Sequence, residues 1–520
     1  MQCRRRDPSR WPLRISASLI FVSVLLGAAE TIAQRTAGTC PGPAPVEFFG
    51  CTALKGTAQQ FSCMLVPDDQ LTLWVRGRDC KDIQVADSGQ PLQAETRFIQ
   101  GGCQLRLPRS SGLHQSTLTL TDRRTQQPLW SMPLDRSKPK LLEWKRKVWD
   151  RASSNLEDIL PDLQRKAAGH LDPEELIDVT YALGWVNYRL GHRSEAVQQL
   201  AYLSWLAEKY QYRSIVVDAG YYQSFLLRTA DLPQEARATL NSITQFAIPG
   251  DSRGSANIDK EHAGFALAGE RLDVATGFFD RAHDTALRVD DRAVLVGILP
   301  QLAELHHQLG HSEIAEQLLT EMAGLLDDQP ECKQAGLWAF AGAVGIEIGI
   351  DLGKQVLIVG RPLRDILQRA LAQEKRCMVS SSRAVIFLSL MQLSRLEGKY
   401  AEAHDWAEKF RLMSDYAAHV GIEFMEQAAL LALAEGRGND ALRLFRAMDL
   451  ASKKLSGTFI NTYKCSAAVG IAEAQSAQSQ SDPQTQDVIR NCLAPTSSFL
   501  SVPLRRGLER RANRMGLLTR

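Results

Sequence analysis

The segment GHRSEA, residues 191–196, recurs with variations along the chain, and this recurrence predicts its fold. Related turns are LPQEA (232–236), ERLDVA (270–275), GHSEIA (310–315), GKYAEA (398–403) and GRGNDA (436–441). Their final alanines are 38–40 residues apart, except for one gap of 88. A regular step of this length is typical of a repeat protein, in which each unit packs on its neighbours. The long gap indicates one degenerate unit, near Gly345 and Leu357.

A second regularity lies twelve residues before these alanines. The positions are Gly184, Ser224, Ala263, Ala303, Met391 and Ala429, and five of the six residues are small. Two small residues, one on each helix of a hairpin, let the helix backbones approach closely where they cross. We therefore expect helical hairpins of about forty residues each.

This pattern resembles the longer, forty-residue units of the tetratricopeptide (TPR) family over residues 173–455, although it lacks the family's proline at the repeat end. The resemblance implies a mostly α, right-handed TPR-like solenoid, whose concave surface is built from the first helix of each pair. A HEAT-type α-solenoid is the alternative and has a similar concave surface. We assign the solenoid to 171–455, N-terminal helices leading into it to 138–170, and a terminal helical cap with a basic tail to 456–520.

A region of short strands precedes the helices. The runs FSCML, LTLWV, DIQVA, CQLRL, STLTLT and PLWSMPL show partial alternation and are divided by Pro-, Gly- and Ser-containing turns. Half a dozen short strands at this spacing predict a small β-sandwich over residues 45–137.

Cysteines crowd into the same region. Cys40, Cys51, Cys63, Cys80 and Cys103 fall within about sixty residues, which favours a domain stapled by disulfides. The nearest pairings in sequence are Cys51 with Cys63 and Cys80 with Cys103, but spacing alone does not decide the connectivity. Cys465 and Cys492, further along the chain, are candidates for another bridge.

The N-terminus has the layout of a secretory signal. Five arginines precede an apolar run, Ile15 to Ala29, that ends in small residues. We expect a signal peptide at 1–33, a linker at 34–44, and export to the periplasm or the exterior. The alternative is an inner-membrane anchor formed by residues 15–29, although that run is shorter than the ~20 residues of a spanning helix.

Composition and motifs exclude several classes of function. Net charge is +2, with 61 Lys and Arg against 59 Asp and Glu, which disfavours a nucleic-acid binder. The sequence lacks a phosphate-binding loop, a nucleophile elbow, a zinc-protease helix and a dinucleotide fingerprint. We therefore predict a non-enzymatic protein without cofactor or metal. Membrane contact is expected only through an uncleaved leader or the arginine-rich C-terminal tail.

The order of leader, cysteine-containing β-domain and forty-residue repeats is similar to the non-catalytic N-terminal region of bacterial TPR–CHAT proteins. In those proteins the repeats detect a partner and a following CHAT domain acts as a Cys–His protease. The present chain instead ends in PLRRGLERRANRMGLLTR, so protease activity is not implied. The alternative function is a sensor subunit of such a system, with the catalytic domain on another chain.

One face of the first helices carries the candidate partner-binding residues. Counted from the small residue, offsets −6, −3, +1 and +4 lie on one helix face, which lines the concave groove of TPR-like solenoids. They are Asp178, Tyr181, Trp185 and Tyr188 in the first repeat, and Asp218, Tyr221, Phe225 and Arg228 in the second. Aromatic residues beside Asp and Arg are typical of hot spots that bind a protein or peptide. The alternative is that these rings pack against the adjacent repeat.

Overall fold

The computed structural model describes residues 46–65, 70–108, 115–135, 153–230, 232–268, 271–326, 331–377, 380–413, 418–453, 459–480, 482–494 and 500–517. The predicted signal peptide, the linker and Cys40 lie outside these ranges.

Ten strands precede the helices and form two sheets. They are β1 (Val46–Phe49), β2 (Ala53–Gly56), β3 (Phe61–Met64), β4 (Thr72–Arg76), β5 (Ile83–Asp87), β6 (Gln90–Pro91), β7 (Glu95–Ile99), β8 (Gly102–Arg106), β9 (Gln115–Asp122) and β10 (Pro128–Asp135). One sheet has the order β1-β4-β8-β7 and the other β2-β3-β10-β9-β5-β6, with β3 and β10 parallel. Buried side chains of both sheets, such as Leu73, Leu105, Leu118 and Met132, join one hydrophobic cluster.

Each of the six predicted strands coincides with a strand of this region. The sequence analysis missed β1 and β2, which have four residues each, β6, which has two, and β7, whose residues are mostly exposed. A strand exposed on both faces has no apolar alternation to detect. The β-rich domain is thus as predicted, whereas its description as a sandwich stays a prediction.

Eighteen helices follow within the described residues. They are α1 (Ser153–Ala167), α2 (Pro173–Arg189), α3 (Arg193–Lys209), α4 (Arg213–Thr229), α5 (Pro233–Thr244), α6 (Ser252–Ala268), α7 (Leu272–Val289), α8 (Arg292–Gln308), α9 (Ser312–Leu326), α10 (Glu331–Leu352), α11 (Leu363–Cys377), α12 (Ser380–Leu396), α13 (Tyr400–Arg411), α14 (Ala418–Ala434), α15 (Gly438–Ser452), α16 (Phe459–Ser476), α17 (Pro483–Leu493) and α18 (Val502–Arg514). From α2 onward they pack in adjacent pairs, α2 with α3 through α16 with α17.

The small residues meet inside these pairs as expected. The Ser224 hydroxyl donates to the carbonyl of Ala236, its predicted partner across the hairpin, at 3.0 Å. A Cβ atom at Gly184 would lie only 3.1 Å from the Leu200 side chain, so the glycine permits a close helix approach. These contacts confirm the predicted helical hairpins of about forty residues, while their TPR type and the right-handed sense of the solenoid stay predictions.

Polar contacts repeat with the same period. The Ser224 hydroxyl oxygen also lies 3.0 Å from the Glu261 carboxylate, so its single proton is shared between that carboxylate and the Ala236 carbonyl. The Ser312 hydroxyl donates to Asp351 at 2.8 Å and the Tyr463 hydroxyl to Glu423 at 2.9 Å, and the partners in these three pairs are 37–40 positions apart. Each bond joins equivalent or neighbouring positions of successive repeats. The hydroxyl and carboxylate therefore fix the register of one repeat on the next, because a buried polar atom needs its partner.

The degenerate unit in the 88-residue gap is the pair α10 and α11. A small hairpin of β11 (Leu357–Ile358) and β12 (Arg361–Pro362) replaces the usual tight turn, which hides the turn motif in the sequence. Close packing is retained, since a Cβ atom at Gly345 would lie 2.7 Å from Leu363. Within the described residues one segment, Gln334–Leu352 of α10, is long and apolar enough to cross a membrane, and half of it is buried.

The basic C-terminal run is a helix that packs on earlier helices of the chain and is not a solvated tail. Arg511 of α18 pairs with Glu473 at 2.6 Å, and Arg506 pairs with the nearly buried Asp351 at 3.4 Å. Leu508 and Ala512 of α18 are buried against α16. The expected terminal cap is thus formed in part by the arginine-rich segment itself; Arg520 lies outside the described residues.

Candidate binding groove in the first repeats

The β-domain is fixed beside the first three repeats. The Arg288 guanidinium at the end of α7 donates to both carboxylate oxygens of Glu47, at 2.7 and 3.0 Å, and lies 4.9 Å from the ring centre of Trp74. Backbone N–H groups of β1 and β2 also donate to the solenoid, Phe48 to the carbonyl of Gly250 at 2.8 Å and Leu54 to the Ser214 hydroxyl at 2.9 Å. The two parts therefore share one interface with specific polar contacts.

Three of the eight predicted groove residues are buried in the core instead. Asp178 and Tyr181 are each 1% exposed, and Tyr181 belongs to the hydrophobic cluster of the first repeats. The Tyr181 hydroxyl donates to Asp218 of the next repeat, and Asn257 of the third repeat donates to the same carboxylate at 3.1 Å. Tyr221 is also buried, with 8% exposed. The expectation that these two tyrosines face a ligand is wrong, because the neighbouring helix covers their rings.

The remaining aromatic residues form a continuous, half-buried surface. Trp185 packs edge-to-face on Tyr188 at 5.3 Å and on Tyr222 at 4.8 Å, and Tyr188 packs edge-to-face on Phe225 at 6.4 Å. Tyr222 was missed, since it lies one position beyond the helix face that the offsets define. We call Trp185, Tyr188, Tyr222 and Phe225 the aromatic surface.

Cationic side chains border this surface. Arg228 lies 5.5 Å from the Phe225 ring centre and pairs with the buried Glu261 at 3.0 Å, and Lys260 lies 5.0 Å from the Tyr221 ring centre. Gly264 leaves room for Arg228, because a Cβ atom there would lie 2.5 Å from its guanidinium. The third repeat thus contributes a cation, Lys260, beside the rings of the second repeat.

Burial keeps the tyrosines of this region protonated. It raises the pKa of Tyr188 above the ordinary value, and it raises those of Tyr181 and Tyr222 well above it, where the nearby Asp218 adds to the effect. Their hydroxyls therefore remain neutral hydrogen-bond donors throughout the physiological pH range.

The later repeats carry an acidic inner surface that the sequence analysis did not single out. Glu304, Glu423 and Glu426 fall on the groove offsets of their own repeats, and Glu347 accepts from Gln392 at 2.6 Å. Burial raises the pKa of Glu423 to about 7, and Glu426, Glu347 and Glu304 add to the rise. The same offsets would have found these residues had carboxylates been sought beyond the second repeat.

The cysteines of the β-domain lie in two bonded pairs. Cys51 is bonded to Cys63, and Cys80 to Cys103. Cys465 and Cys492 are instead free and buried, so the expected bridge between them is not formed. The hydrogen bond between the two thiols raises the pKa of Cys465, where burial adds to the rise, and lowers the pKa of Cys492. Among the described residues no three His, Cys, Asp or Glu side chains lie together as metal ligands would.

Comparison with known proteins gives a fold likeness only. No protein-family model matches the chain, and no curated protein matches it in sequence. Among solved structures, the chain is similar to the TPR domain of P58(IPK), with 15% identity over 72% of this chain and 96% of that one, at a TM-score of 0.22. The description of the chain as helical repeats therefore depends on the helix pairs and the forty-residue contacts described above.

Proposed function

We propose that this protein is an exported, non-enzymatic scaffold that binds a protein or peptide on the concave face of its first repeats. The observation that carries the proposal is the aromatic surface of Trp185, Tyr188, Tyr222 and Phe225, in which partly exposed rings from two successive repeats pack on one another. Rigid aromatic groups beside Arg228 and Lys260 supply much contact area at little entropic cost, as at binding hot spots.

Export is supported by the two disulfides of the β-domain. Such bonds form and persist in oxidising compartments and are rare in the cytosol. Intact-mass measurement of the protein from its native host tests this part, and we expect a mature chain that starts near Gln34. A full-length chain that retains Met1 in the cytoplasm would contradict it. The alternative role as a sensor for a CHAT-type protease stays a prediction.

Site-specific photocrosslinking tests the groove. A benzoylphenylalanine at Tyr188 is expected to capture a partner in the native envelope, whereas the same group at Tyr202 should not. Tyr202 is a matched control, since it is an exposed aromatic residue, 45% accessible, on the second helix of the same repeat.

The same partner is then used for affinity measurements. Replacing Tyr188 or Phe225 by Ala should weaken its binding by ~2 kcal/mol, roughly thirtyfold, because truncated anchors lose most of their contact area. Crosslinking from Tyr202 alone, or full affinity after both truncations, would place the binding surface elsewhere.

A further inference from the structure

A small cavity lies where the β-domain meets the first helices of the first three repeats. The β1–β2 loop around Phe49 covers one side, and Tyr181, Asp218, Asp251 and Asn257 line the other. It offers ≈ 60 Å³ of water-sized space. A water molecule needs roughly 10–15 Å³ of such space, so the cavity accommodates about five heavy atoms.

The polar wall of the cavity is acidic. Asp218 accepts hydrogen bonds from two neutral donors, the Tyr181 hydroxyl and the Asn257 amide. Asp251 is only 8% exposed, and burial raises its pKa to about 6. The one cationic lining residue, Arg253, is held by the buried Asp291 through two bonds of 3.3 Å. Three carboxylates thus face one guanidinium.

The remaining wall is apolar. Phe48, Ile215 and Val217 line it, and all three are at least 97% buried. The Arg253 guanidinium lies 4.7 Å from the Phe49 ring centre, so the flat cation-binding face of that ring is already taken. A compact ammonium group needs only oxygen acceptors and fits a space of ≈ 60 Å³ better than a second planar guanidinium with its five N–H donors.

We infer that this cavity binds a primary ammonium group at the end of a short unbranched carbon chain, between Asp218 and Asp251. The ammonium donates to the two carboxylates, and three or four methylenes lie along Phe48, Ile215 and Val217. Two sources share this chemistry, a free alkyl diamine and a lysine side chain of a bound partner. The lysine source rests on the proposed groove function, because Tyr181 connects the cavity to Trp185 along the same helix.

Titration calorimetry on the mature chain tests the inference with defined probes. They are 1,5-diaminopentane, its neutral isostere 1,5-pentanediol, and Nα-acetyl-lysine amide. We expect saturable binding of the diamine and no binding of the diol. Asp218→Asn and Asp251→Asn should each weaken diamine binding at least tenfold, since each removes a charge-assisted bond while keeping the side-chain shape.

Asp259→Asn is the matched control and should leave the affinity unchanged. Asp259 lies on α6, as do Asn257 and Arg253, but pairs with Arg281 away from the cavity. Absence of diamine binding up to ~10 mM, weaker than most biological affinities, would overturn the inference. Equal binding by wild type, Asp218→Asn and Asp251→Asn would overturn it as well.

The calorimetric probes distinguish a free amine from a lysine side chain as the ligand. Diamine binding without binding of Nα-acetyl-lysine amide identifies a free amine as the ligand, and competition between the two identifies a lysine side chain.

Loss of partner capture at Tyr188 with intact diamine binding removes the groove proposal alone. Partner binding that is unaffected by Asp218→Asn and Asp251→Asn, with no diamine binding, removes the cavity proposal alone.

Discussion

The Arg288 guanidinium donates two hydrogen bonds to the Glu47 carboxylate, although the two residues are 241 positions apart in the chain. Both side chains are mostly buried, with 16% and 11% of their surfaces exposed. The pair joins the first strand of the β-domain to the second helix of the third repeat. Glu47 lies in β1 directly before Phe48 and Phe49, which line the cavity beside Asp218 and Asp251, so this contact holds one wall of that cavity against the solenoid.

Replacing Arg288 by Ala is expected to lower the free energy of unfolding by about 2–4 kcal/mol, because the mostly buried Glu47 carboxylate loses both short hydrogen bonds and keeps only the longer contact to Arg76, at 3.6 Å. Arg281→Ala is the control on the same helix, and its pair with Asp259 is exposed, so its loss should cost about 1 kcal/mol or less. Thermal and urea denaturation measure both variants. Equal effects would show that the pair with Glu47 contributes no more than a surface pair.

The burial of Tyr181 leads to a second expectation. Tyr181→Ala should lower stability by about 3–5 kcal/mol, since it removes a buried aromatic ring. Tyr181→Phe keeps the ring and loses only the bond to Asp218, so it should cost about 1.5–3 kcal/mol. Tyr202→Ala, on the exposed side, should change stability little. Urea unfolding of the three variants distinguishes these values. A small loss of stability in Tyr181→Ala would contradict the buried position of this ring and favour its exposure in the groove.

Asp251 makes stability depend on pH with a definite sign. Its pKa rises from 3.8 to about 6 on folding, so the native state holds the proton more tightly than the unfolded state. The contribution of this group to the free energy of unfolding is fully present below pH 4. It is lost as the pH rises through 6, and above that pH the free energy of unfolding is lower by about 3 kcal/mol. The charged groups that face it are Arg253, Asp291 and Asp218.

Asp251→Asn should therefore raise the melting temperature at pH 7.5 and change it little at pH 4, because Asn can still accept the backbone hydrogen bonds at the start of helix α6. Asp482→Asn should act in the opposite direction. Asp482 caps α17, and hydrogen bonds from Thr485 and Gln484 lower its pKa. A melting temperature of Asp251→Asn that falls at pH 7.5 would contradict the expected sign.

The cysteines allow a direct chemical test. Peptide mapping without reductant should find Cys51 joined to Cys63 and Cys80 joined to Cys103, and should find Cys465 and Cys492 alkylated only after denaturation. Reduction should destabilise the β-domain by about 2–4 kcal/mol for each bond. A crosslinked peptide that contains Cys465 and Cys492 would contradict the free, buried thiols of the fold.

The repeat architecture could be predicted because its determinants are local. Ser224 and Ala236 are small, lie twelve positions apart, and meet within one hairpin, so periodicity alone located them. The same reasoning placed six of the ten strands in the described part of the β-domain. It located the degenerate unit near Gly345 and Leu357, but not the hairpin of β11 and β12 that replaces the turn motif there.

The binding face was predicted only in part. Offsets along a helix state which residues share a face, but they do not state how far the next helix covers that face. Tyr188 and Phe225 remain partly open, whereas Tyr181, at an equivalent spacing, is covered by the second repeat and bonded to Asp218. The register of one repeat on the next decides this difference.

Local patterns in the amino-acid sequence were enough to predict the helical hairpins, their forty-residue step and the β-rich domain, because each depends on side-chain size and polarity within a few dozen residues. The folded chain alone brings Arg288 to Glu47, places Asp218 and Asp251 around one cavity, and makes the arginine-rich end part of the cap. Those contacts join segments up to 241 residues apart. Their geometry depends on how each repeat between them packs on the next, and a local sequence pattern carries no information about that packing.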